Sequence, residues 1–81
     1  MICLSVLPYS GWRKDFARFG SDLSNYKLNV KDCYVEADWI AITVIVSSTD
    51  ERQLVVELAH KRFGKSYKGF ALSEYQIPTP Q

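Results

Sequence analysis

Apolar and polar residues alternate at strand spacing in four stretches of the chain and recur at helical spacing in two others. The clearest alternation is Trp39-Ile-Ala-Ile-Thr-Val-Ile-Val46, a β-branched run with Ile40, Ile42, Val44 and Val46 on one face. Trp39, Ala41, Thr43 and Ile45 fall on the other, which predicts a strand. Ser48 followed by Glu51 forms a capping box, in which each side chain satisfies an otherwise unpaired amide at a helix start. Leu54, Val55, Leu58, Ala59 and Phe63 continue as an apolar stripe, and Gly64 supplies a left-handed stop.

The same reading extends along the rest of the chain. Ile2 to Leu7 alternates and ends at Pro8, predicting a first strand. Ser10 is the expected N-cap of a first helix carrying Trp12, Phe16 and Phe19, with Gly20 as its stop. Tyr26, Leu28 and Val30 predict a second strand, whose phase slips at Lys31-Asp32 and resumes at Cys33 and Val35. One inserted residue exchanges the faces of a strand, so the slip predicts a β-bulge. Glu36-Ala37-Asp38 is the expected turn into the third strand. Phe70, Leu72, Tyr75 and Ile77 predict a fourth, with Phe70 and Leu72 in the core. The order β-α-β-β-α-β is the ferredoxin-like arrangement: a four-stranded antiparallel sheet with two helices on one face. The alternative is a ββαβ unit preceded by an N-terminal helix. Residues 1–77 form a single α+β domain and 78–81 a C-terminal tail. Arg18-Phe19-Gly20 and Arg62-Phe63-Gly64 echo one another at the expected ends of the two helices.

Composition narrows the class. With 47% hydrophobic and 14% aromatic residues among 81, the chain has enough apolar content for one self-sufficient core. A net charge of +1 names no partner by itself. Two cysteines are not a disulfide framework. In the ferredoxin-like sheet the strands carrying Cys3 and Cys33 are separated by another, about 9.6 Å, beyond the roughly 7 Å that a disulfide spans between Cα atoms. Both are therefore expected to be reduced. No apolar run approaches the roughly 18 residues of a membrane span, and no signal-peptide pattern opens the chain, so a cytoplasmic location is expected.

Candidate chemistry is sparse. The sole histidine, His60, lies near the end of the second helix, where a cation complements the helix dipole. No nucleophile–base set, metal-ligand spacing or cofactor motif accompanies it, so no catalytic residue, metal or cofactor is expected. Acylphosphatases share this element order, but their third-strand asparagine has no counterpart between Trp39 and Val46.

Lys68-Gly-Phe-Ala-Leu-Ser-Glu-Tyr75 resembles the RNP1 signature of RNA-recognition motifs, which implies a sheet whose aromatics stack on bases. In that family the signature precedes the second helix, whereas here it follows. Ile2-Cys3-Leu4 also lacks the aromatic that the first strand would contribute. Single-stranded RNA or DNA binding through a basic-aromatic surface is thus the alternative function.

The first expectation is protein binding. The ferredoxin-like order gathers Arg13 and Lys14 with Lys61, Arg62, Lys65 and Lys68 at one end, beside Tyr9, Trp12 and Tyr67. Basic and aromatic side chains together suit an acidic protein face. The open sheet face, with Trp39, Ala41, Thr43, Ile45, Cys3, Ser5, Ser73 and Tyr75, is the second candidate surface and a route to a homodimer. In size and build the chain resembles bacteriophage accessory proteins that inhibit a host enzyme or defence complex, and the expected function is such non-enzymatic inhibition by protein contact.

Overall fold

The computed structural model describes residues 1–36 and 38–72. In chain order the elements are β1 (Ile2–Val6), α1 (Trp12–Asn25), β2 (Val30–Val35), β3 (Ile40–Val44), α2 (Thr49–Phe63), a 3-10 turn (Gly64–Ser66) and β4 (Tyr67–Leu72). The strands form one sheet in the order β2-β3-β1-β4, every neighbour antiparallel. This is the α+β ferredoxin-like fold. Cys3 and Cys33 are both free thiols, on strands that β3 separates.

The alternation of the two central strands builds the core. Ile2 pairs with Val44, Leu4 with Ile42 and Val6 with Ile40, and all six are fully buried. Phe19 and Leu23 of α1 and Val55, Leu58, Ala59 and Phe63 of α2 close over them. The rings of Phe19 and Phe63 meet in a tilted pair with centroids 5.4 Å apart, an arrangement worth about 0.5–1.5 kcal/mol beyond simple burial.

Both helix boundaries have identifiable causes. At α2 the Ser48 hydroxyl accepts from the Glu51 amide at 3.1 Å, while the Glu51 carboxylate reaches back to the Ser47 amide at 2.6 Å. The capping box is present, with its return arm one residue earlier than the usual pattern. Gly64 ends α2 at φ 55° and ψ −125°. The first helix differs from expectation at both ends. Gly11, at φ 91°, is its N-cap instead of Ser10. The helix also runs through Gly20 to Asn25, because the buried stripe continues from Phe19 to Leu23. Its real stop is a Schellman motif. The Leu28 amide donates to the Leu23 carbonyl and the Lys27 amide to that of Ser24, with Lys27 itself at φ 61°.

That longer helix delays β2. Tyr26 caps α1 and Leu28 is a buried loop residue, so the strand begins at Val30. The bulge lies where the phase slips: Val30 faces Val44, Asp32 faces Thr43, and Lys31 is the extra residue. The third strand is shorter than its hydrophobic run, leaving Trp39, Ile45 and Val46 as flanks. The fourth begins early, at Tyr67, and Tyr75 and Ile77 lie outside the described residues.

Candidate protein-binding surfaces

Three surfaces of the described residues are candidates for contact, and the fold decides what each can present. The basic-aromatic end forms where β1 leads into α1 and α2 leads into β4. The Leu7 amide donates to the Ser66 carbonyl at 2.8 Å, which ties these two connections together. Val6 pairs with both Ile40 and Tyr67, so the turn before β3, carrying Glu36, Asp38 and Trp39, opens at the same end. This brings Tyr9, Trp12, Arg13, Lys65, Lys68 and Trp39 to one end of the sheet. Lys14 lies in the first turn of α1 and Lys61 in the last turn of α2. The Arg13 guanidinium sits 5.3 Å from the Trp12 ring centroid, within cation–π range. Arg13, Lys14, Lys61, Lys65 and Lys68 are all exposed. Glu36 and Asp38 are exposed on the neighbouring turn and supply the local counter-charge.

Three expected members of this end do other work. Arg62 makes a two-pronged ion pair with Asp22 of α1, its Nε at 2.5 Å and its second nitrogen at 2.9 Å from the carboxylate oxygens. These hydrogen bonds hold the Asp22 carboxyl below its ordinary range and raise the guanidinium in turn. Arg62 is therefore a strut between the helices. Tyr67 is turned inward at 9% exposure, because its partner Val6 faces the core. Burial raises its phenol pKa, and its hydroxyl has no hydrogen-bond partner among the described residues. His60 packs against that ring with centroids 4.4 Å apart. Tyr9 is half-buried and donates its phenol proton to the Asp15 carboxylate. Burial first, and then this bond and the nearby negative charge, push its pKa up to about 12. It thus braces the start of α1, where Gly11 offers no side-chain cap.

The open sheet face is lined by small residues. Across the strands, Tyr34 faces Ala41, Ala41 faces Ser5 and Ser5 faces Gly69; the next row is Asp32, Thr43, Cys3 and Ala71. Tyr34 is the aromatic that the described strands place there, at the far edge. Phe70 pairs with Leu4, a core residue, so its ring belongs to the helix side and is not presented as the signature resemblance would require. Tyr75, the other ring considered for stacking, lies outside the described residues.

The third surface was not foreseen. Phe70 and Leu72 occupy the helix side of β4, yet each is 49% exposed, which corrects their assignment to the core. The sheet ends at β4, and no element covers its outer flank among the described residues. Their side chains instead line a groove of about 360 Å³ against α2, with Val56 apolar beside them and Arg52 and Glu57 on its rim. Strand alternation assigns a residue to a face; depth depends on whether another element lies over it.

Among the described residues no cluster of histidine, cysteine, aspartate and glutamate could hold a metal ion, and no helix is long and apolar enough to cross a membrane. No protein-family model, curated protein or solved structure matches the chain. Any functional reading therefore rests on these surfaces.

Proposed function

We propose that the chain is a non-enzymatic protein-binding module whose basic-aromatic end engages an acidic face of another protein. The observation that carries this reading is the convergence of five exposed cations with Trp12 and Trp39 at the end tied by the Leu7–Ser66 hydrogen bond. Aromatic and arginine side chains dominate the energetics of protein contacts, and clustered positive charge accelerates encounter with an acidic partner. Its specific form is inhibition of a host enzyme or defence complex of the kind bacteriophage accessory proteins perform, by covering a surface rather than by chemistry.

The test is capture of partners from lysate, with and without nuclease treatment, by the native chain and by a variant with Arg13, Lys14, Lys61 and Lys65 all changed to Glu. These side chains are exposed, so the variant is expected to keep the native melting temperature within a few degrees. Partners held by the native chain and lost by the variant are the expected result. Undiminished capture by the variant would refute the role of this end. Capture that vanishes on nuclease treatment would point to single-stranded RNA or DNA as the partner.

A further inference from the structure

Both edges of the sheet carry a bulge near their start, and they differ in charge and in the groove that flanks β4. On β2 the bulge falls at Lys31, the second residue of the strand, with Asp32 beside it, so two charges and the irregularity occupy the start of that edge. On β4 the register shift and a single charge, Lys68, likewise occupy the start, ahead of Gly69 at φ 142°. Beyond them Phe70-Ala71-Leu72 is regular, uncharged and exposed. An unguarded edge carrying apolar side chains is a template for pairing with another strand.

We propose that this edge joins two copies of the chain, β4 against β4 in antiparallel register about a two-fold axis near Ala71. The charges on the groove rim select a second copy as the occupant. α2 runs antiparallel to β4, since β4 is parallel to β3 and α2 returns across the sheet after β3. A two-fold axis at β4 therefore sets the two α2 helices antiparallel. Arg52, nearer the helix start, then faces Glu57 of the second copy, and Glu57 faces its Arg52. Phe70 of each copy meets Leu72 of the other on the helix side. Such an interface is self-complementary in charge and in apolar surface, as a two-fold contact requires. The sheet becomes continuous across both copies and carries a basic-aromatic end at each extremity.

Sedimentation velocity of the full chain and of Arg52→Glu and Glu57→Arg tests this. The native chain is expected to be dimeric at about 100 μM, the range where a micromolar Kd saturates. Each variant alone places like charges across the axis and should weaken association by at least about tenfold. An equimolar mixture of the two variants should regain the dimer, because every Glu then meets an Arg. A native chain that is monomeric at this concentration overturns the proposal, as do single variants that dimerise undiminished or a mixture that fails to associate. A monomer whose Phe70 and Leu72 amides resist hydrogen exchange would assign the groove to the chain's own residues 73–81. A monomer that pairs only with an extended peptide would assign it to another protein. Both of those outcomes also overturn it.

Discussion

Gly20 and Gly64 follow identical Arg-Phe pairs, yet alanine at the two positions should change stability in opposite directions. Gly20 lies inside α1 with helical backbone, and a Cβ added there meets no atom within 4 Å. Gly20→Ala therefore removes backbone freedom from the unfolded chain and adds no clash, a gain of about 0.5–1 kcal/mol. Gly64 has equally open surroundings, but its φ of 55° with ψ −125° is a conformation that a Cβ disfavours. Gly64→Ala should cost about 1–3 kcal/mol through strain alone. Lys27 completes the set. Held at φ 61° in the stop of α1, it should be replaceable by glycine with a net benefit of a few tenths to about 1 kcal/mol. For a domain of this size each kcal/mol moves the melting temperature by roughly 4–8 °C, so calorimetry and urea titration resolve all three variants. A destabilised Gly20→Ala would mean that α1 breaks at Gly20, and the placement of Leu23, Lys27 and Leu28 would fall with it.

Two further outcomes test the packing and the electrostatics. Phe19→Ala should cost about 3–5 kcal/mol as the truncation of a fully buried ring, whereas Phe70→Ala, half exposed and opening no closed cavity, should cost only about 1 kcal/mol when measured below the concentration of any self-association. Equal losses in urea denaturation would place Phe70 in the core and remove the groove. Asp22 binds its proton more weakly in the folded chain than in the unfolded one, so its pair with Arg62 stabilises above the unfolded pKa near 3.8 and that contribution fades as pH falls through the lower folded value. Asp22→Asn should accordingly lower the melting temperature at neutral pH and converge on the native chain in strong acid; a pH-independent difference would show that the pair is not the source.

Where local pattern and burial coincide, the sequence alone carries the fold. Ile40, Ile42 and Val44 alternate because both faces of a central strand are defined, and Ser48 with Glu51 marks a helix start through bonds made within a few residues. The slip at Lys31 was legible for the same reason. Gly20 misleads because glycine permits a left-handed stop without requiring one, and the buried stripe through Leu23 prevails. The basic-aromatic end follows from topology, so most of its members were recoverable. Arg62 was not, since its partner Asp22 is set by how two helices cross, which no local spacing records. Phe70 and Leu72 show the complementary gap: their face could be read, but the bare flank beside β4 is a property of the assembled sheet.

The position of β1 governs how this chain emerges during synthesis. Its partners β3 and β4 arrive late, and Ile2 is matched to Leu72 at the far end of the described chain. Until the ribosome releases those segments, Ile2-Cys3-Leu4-Ser5-Val6 has neither of its neighbours, and its apolar side chains lack their cover. Contacts of such long sequence separation slow folding and leave the nascent strand open to wrong pairings. The native sheet therefore closes only once β4 has been made, and a shortened product ending before Tyr67 would leave one side of β1 bare, a species for chaperones and proteases to remove.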